Sequence, residues 1–303
     1  MTAHTRTAHT TAPAEGVSPG SVRQLARIEA GRSLRRVSIW VGFVLTIAFA
    51  ASSTTSDWPG ASYEEKLPQS FLPIVLGTFI AAFRTGRRDG QHDVSESAPL
   101  GPDHRALARL GGLVFPVLLT GCIVVGLAIA SRIEGGFWLG DDPRRTDTAL
   151  HSIAELLQPL LIVALVGAMG IAIGRARLRL AAPVAIIVGV VVFTMFTGHF
   201  LFNIPPVHAF TPVQTQPLDI ELDAATDIEQ VPADWFVKLS DEGQPTRQLV
   251  HQPTILGHDL YLVGLTALAA GVAIRGARGR RLALTGTALA TAGIAAQLLF
   301  SPL

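Results

Sequence analysis

Six polar side chains sit where the chain is otherwise oily: His151, Glu155, Gln158, His199, His258 and Asp259. His151 and Glu155 are four residues apart, so on a helix they share a face, with Gln158 about one turn on. His199 lies near the end of one apolar run, and the His258-Asp259 pair opens another. A carboxylate at mid-bilayer costs about 2.5–3.5 kcal/mol on insertion scales and less near the interface, so an ionisable group in a span needs a reason. Three chemistries fit these residue types. They can hydrogen-bond to one another and to interfacial water, tying helices together. They can line the outer mouth of a substrate route. The histidines can ligate a metal or haem, although nothing in the sequence fixes ligand spacing across separate helices. No metal ligand set is therefore assigned.

Other catalytic signatures are missing. There is no G-x-x-x-x-G-K-[ST], and neither of the two lysines, Lys66 and Lys238, follows a glycine, so the chain carries no P-loop of its own. H-E-x-x-H is also missing, and the G-x-S-x-G match at Gly16–Gly20 (GVSPG) falls in the polar stretch ahead of the first apolar run, with no apolar strand before it to form a nucleophile elbow. The single cysteine, Cys122, allows no C-x-x-C and no disulfide within the chain. The sequence therefore predicts a non-enzyme that binds no cofactor and no nucleic acid.

The elements that must position the polar groups are apolar runs. Of 303 residues, 49% are hydrophobic and only 16% charged, against about 25% charged in a soluble domain. Mean hydropathy is positive, at +0.41. A helix crossing the hydrocarbon needs about 20 apolar residues. Seven runs qualify: Val37–Ser53, Leu67–Phe83, Leu110–Ser131, Ser152–Gly174, Ala182–Asn203, His258–Ile274 and Leu282–Phe300. The second is short and holds Pro73, so it can be re-entrant, leaving six. Of the 24 basic residues, 18 fall before the first run and after the second, fourth and sixth. Basic segments stay in the cytoplasm. This predicts an internal N-terminus, an external C-terminus and a multi-pass plasma-membrane protein. Ala48-Phe49-Ala50 looks like a signal cleavage site, but 36 residues precede that run and it is longer than a signal core.

The expected organisation is an all-α polytopic bundle. Residues 1–20 form a disordered tail. Residues 21–36 form a basic amphipathic helix in the membrane interface, anchored by Arg23, Arg27, Arg32, Arg35 and Arg36. Residues 37–203 form a five-span region with a charged cytoplasmic segment at 84–109. Residues 204–256 form an external loop with a small β element, read from the alternation in PLDIELD and from WFVKL and RQLVH about a turn. Residues 257–303 form two C-terminal spans. Gly167, Gly170, Gly174, Gly264 and Gly271 permit close helix contact.

The order VRQLARIEAGRSLRR, first span, LGTFIAAF, RTGRRDG, SAPLGPDHRALARL, third span resembles the permease subunit of an ATP-binding-cassette transporter, of the type-2 exporter-like class common in high-GC bacteria. GHDLYLVGL is similar to the start of a late span in such permeases. The resemblance covers most of Ser21 to Arg281, through loose motifs. It implies a coupling helix between the second and third spans that docks on a separately encoded ATPase. The matching positions are Asp89, Asp93, Glu96, Pro99, Asp103, Arg105 and Arg109. It also implies a second permease copy or paralogue, with ATP and Mg held by the partner ATPase. Such permeases commonly have six spans rather than seven. The rival expectations are a membrane metal or haem protein using His151, His199 and His258, and a non-transporting scaffold.

Overall fold

A computed structural model describes residues 19–52, 61–88, 101–138, 148–176, 189, 218–221, 235–239, 245–249 and 252–300. The chain is all-α in class. Its helices are α1 (Pro19–Leu34), α2 (Val37–Ala51), α3 (Ala61–Ser70), α4 (Leu72–Arg87), α5 (Pro102–Gly111), α6 (Val114–Ile133), α7 (Ile153–Arg175), α8 (Gln252–Ile274) and α9 (Gly276–Leu299). Short antiparallel strands occupy parts of the connections. β1 (Phe137–Trp138) pairs with β2 (Thr148–Ala149), and β3 (Leu218–Glu221), β4 (Trp235–Leu239) and β5 (Pro245–Leu249) pair in the order β3-β5-β4. In that sheet Leu218 stands opposite Leu249, and Leu239 opposite Pro245.

Among the described residues, four helical stretches are long and apolar enough to cross a membrane: Pro102–Ile133, Ile153–Arg175, Gln252–Ile274 and Gly276–Leu299. A fifth is added if α1 and α2, which meet at 60°, count as one broken span. This differs from the expected seven. The run Ala182–Asn203, apart from residue 189, lies outside the described residues. The first two runs became helices of 15 and 16 residues, about 22–24 Å at 1.5 Å per residue, short of a hydrocarbon core of about 30 Å.

The break between α1 and α2 is capped locally. The backbone N–H groups of Arg35 and Arg36 donate to the carbonyls of Arg32 and Ser33, tightening the last turn. The Trp40 indole donates to the orphaned Leu34 carbonyl at 2.6 Å. The Leu67–Phe83 run is split at Phe71, where Pro73 falls in the first turn of α4 and removes no needed donor. The Ile74 N–H, otherwise unpaired there, donates to Thr46 Oγ1 on α2 at 3.2 Å. Together α3 and α4 follow α7 along its length, from Tyr63 beside Glu155 to Gly86 beside Gly174.

Close approach in the bundle depends on glycine. A Cβ on Gly170 would stand 3.0 Å from the Phe79 carbonyl of α4, and one on Gly42 would stand 2.6 Å from the Pro73 carbonyl. The tightest pair is α8 and α9. Gly257, Gly264 and Gly271 recur every seven residues on α8, as do Gly279, Gly286 and Gly293 on α9. They oppose one another across the hairpin, each hydrogen replacing a side chain that would strike the partner backbone. The hairpin itself turns at Arg275 (φ 62) and Gly276 (φ 57). An apolar core of Leu67, Phe71, Ile74, Ile123, Val124, Leu127 and Val163 joins α3, α4, α6 and α7.

Candidate functional site

At one end of the bundle, polar groups converge on the start of α7. Ser152 caps the helix: its hydroxyl accepts from the Glu155 N–H at 3.3 Å, and its own N–H donates to Glu155 Oε2 at 2.7 Å. This reciprocal capping box satisfies two otherwise orphaned donors. It also fixes the Glu155 carboxylate inside the bundle, 1% exposed. Tyr63 of α3 donates its hydroxyl to Glu155 Oε1 at 2.7 Å, and His151 Nδ1 lies 3.2 Å from the same oxygen. The His151 ring stacks on Tyr63 with centroids 4.2 Å apart and meets Phe137 at 4.9 Å. Tyr63, Phe137, Ala154 and Ile255 close an apolar shell that brings the first turns of α8 against α7. Lys66 Nζ stands over the Phe137 ring, 5.9 Å from its centroid.

The predicted pair His151–Glu155 is thus in contact, although His151 precedes the helix. Gln158 and His258 are fully buried, and Asp259 is 8% exposed. His258 and Asp259 do not open their span. α8 starts at Gln252, with Pro253 in its first turn, so the pair lies in the second turn. His199 lies outside the described residues. Among the described residues no three His, Cys, Asp or Glu side chains converge as a metal site. Tyr63 was not among the sequence candidates.

At the opposite end lie the groups matched to the coupling segment. Asp89, Asp93, Glu96 and Pro99 fall outside the described residues. Asp103, Arg105 and Arg109 sit on α5. Pro102 opens that helix, where proline loses no hydrogen bond, and Gly112-Leu113 separates it from α6. α5 is wedged among its neighbours. The Arg175 guanidinium of α7 donates to the Pro102 carbonyl at 3.2 Å, and the Arg275 guanidinium donates to the Arg175 carbonyl at 3.1 Å. Arg278 of α9 lies 3.5 Å from His104 Nε2, and the Asp103 carboxylate lies against Gly276. Ala106 and Ala108 are fully buried and Arg109 is nearly so, whereas Leu107 is 43% exposed. Arg109 therefore faces the bundle.

α1 packs on α5, with Gly111 against Ala26 and Gly112 against Glu29. Arg23, Arg27, Arg32 and Arg35 are exposed, and Arg36 is half-buried. Glu29 is buried, and each carboxylate oxygen takes one guanidinium: Arg32 at 2.6 Å and Arg88 at 3.3 Å. Burial lowers the Arg88 pKa below its ordinary value. Glu29 opposes this shift, while Arg36, Arg32 and Arg109 add to it. Glu29 and Arg88 thereby join α1 to the end of α4.

Fold and sites together describe a membrane-type helical bundle with a buried polar knot at one end and a braced, cationic helix at the other. No family model, no curated protein and no solved structure matches the chain.

Proposed function

We propose that this chain is the permease subunit of an ATP-binding-cassette transporter, exporting a substrate across a bacterial plasma membrane with energy from a separate ATPase subunit. In this reading the N-terminus is cytoplasmic, a second permease copy or paralogue completes the path, and ATP and Mg belong to the partner. The bundle holds seven or six spans, with the β strands of residues 204–256 on the outer side.

The observation that carries the reading is the placement of α5. A permease without an ATPase motif needs a rigid element that converts a push from outside the membrane into motion within it. α5 is polar, short and followed directly by α6. It bears on α1, on the end of α7 and on the α8–α9 turn through Pro102, Asp103 and His104. A force on its exposed side is therefore shared among three helices. Leu107 is the large apolar side chain on that exposed side, suited to a pocket on a docking partner.

The reading is tested by purifying the tagged full-length chain from its native membrane. An ATPase bearing a P-loop is expected to accompany it, and Leu107→Asp is expected to reduce the recovered ATPase about tenfold, the effect of losing one interface anchor worth about 1.4 kcal/mol. Recovery of no ATPase with intact wild-type chain would remove the proposal.

A further inference from the structure

Among the described residues, the Asp259 carboxylate is the acid at the Glu155 end of α8 and α7 that meets no hydrogen-bond donor and no cation. The side chain lies in the second turn of α8, 8% exposed, and both Oδ1 and Oδ2 are shielded without a hydrogen-bond partner. Its own-face neighbours one turn away, Ile255 and Leu262, are core residues. The contrast with Glu155 is direct. Glu155 is also buried but meets Tyr63, His151 and the Ser152 N–H. Two carboxyl groups on adjoining helices are thus treated oppositely: one is hydrogen-bonded by its neighbours, and the other, among the described residues, by none.

The other titratable groups among the described residues do not alter this. On α8 itself, His258 and Tyr261 face each other with ring centroids 5.7 Å apart. From α7, Glu155 and the preceding His151 are committed to each other. The last three turns of α9, Ala288 to Leu299, contain no titratable residue. The charged residues of α5 that bear on this hairpin, Asp103 and His104, do so at its far end, by Gly276 and Arg278.

A buried ionised carboxylate without a donor or counter-ion is strongly disfavoured in an apolar span, and the least demanding remedy is to bind a proton. Among the described residues no group of three ligands offers a metal site. We propose that Asp259 is a proton-binding site of the bundle. It holds its proton at neutral pH while packed in the bundle and releases it to water when this end of α8 opens. This inference stands on the Asp259 surroundings and does not require an ATPase partner.

The test uses the full chain in lipid nanodiscs. Infrared spectra at neutral pH are expected to contain a protonated-carboxyl carbonyl band that is lost in Asp259→Asn and retained in Glu155→Gln. The second measurement needs no Asp259 variant. A hydrophobic carbodiimide reacts with protonated, buried carboxyls: the acid adds across one C=N bond, its proton passes to nitrogen, and the adduct rearranges to a stable N-acylurea with no leaving group. Peptide mass mapping of wild-type chain is expected to place this adduct on Asp259 rather than Glu155, with yield falling as pH is raised. The band alone supports the assignment if the reagent is sterically excluded, and the adduct supports it if Asp259→Asn fails to fold. Folded wild-type chain with neither band nor adduct at neutral pH would overturn it. So would a band that disappears with Glu155→Gln and persists in Asp259→Asn.

Discussion

Replacing Gly264 by alanine is expected to loosen the α8–α9 hairpin, whereas the same change at Gly126 is expected to strengthen its helix. At Gly264 the new Cβ would lie 2.7 Å from the Gly286 carbonyl oxygen and 2.7 Å from Ala290 Cα, and closer still to the Ala290 nitrogen. All three are backbone atoms, so no side chain can rotate away. Restoring ordinary contact, at 3.4–4 Å, requires the two helices to part by roughly 1 Å, with loss of dispersion along the facing glycine rows. Overpacking of this kind costs about 1–3 kcal/mol. A Cβ at Gly126 meets nothing within 4 Å. Both changes share the gain of about 1 kcal/mol that alanine brings to a helix interior. The difference between the two variants therefore isolates packing, and should be about 1–3 kcal/mol with Gly264→Ala the less stable. Reversible unfolding in mixed micelles, titrated with denaturing detergent and followed by circular dichroism, measures it. Equal midpoints for the two variants would refute the facing-glycine arrangement.

Tyr63→Phe removes a 2.7 Å bond to a buried carboxylate and should destabilise the chain by about 1.5–3 kcal/mol in the same unfolding assay. Leu150→Ala, at a residue 44% exposed beside the same knot, should change stability by no more than about 0.5 kcal/mol. Glu29→Gln leaves Arg32 and Arg88 facing each other without their shared acid. It should destabilise by about 1–3 kcal/mol and increase protease nicking near the α1–α2 bend, read by mass mapping of limited digests.

Legibility of the sequence followed the range of each interaction. The Ile153–Arg175 helix matched its apolar run to within a residue, because hydrophobicity and its Ser152 cap agree. The S-x-x-E capping box at Ser152–Glu155 is a local sequence signal for this helix start, independent of the His151–Glu155 spacing. Tyr63 lies 92 residues from Glu155, and no local periodicity reveals such a partner. Hydropathy alone starts α8 at His258, six residues late, because Gln252, Pro253 and Thr254 are not apolar; proline in the first helical turn is the cue that hydropathy ignores. Gly264 and Gly271 taken alone carry a weak signal in a glycine-rich chain. Their seven-residue repeat, mirrored by Gly279, Gly286 and Gly293, was the stronger signal, since a repeat on both arms of a hairpin specifies antiparallel contact. Arg109 belonged to the segment read as a docking helix. Its burial depends on α1 folding back over α5, which composition does not disclose.

The most direct measurement for the whole account is quantitative recovery of a P-loop ATPase with the full-length chain, purified from native membranes with and without Leu107→Asp. The account predicts a near-stoichiometric ATPase with the wild-type chain and about a tenfold loss with the variant, while detergent unfolding midpoints stay equal. A wild-type chain that is folded and carries no ATPase, or a variant that retains it fully, would contradict it.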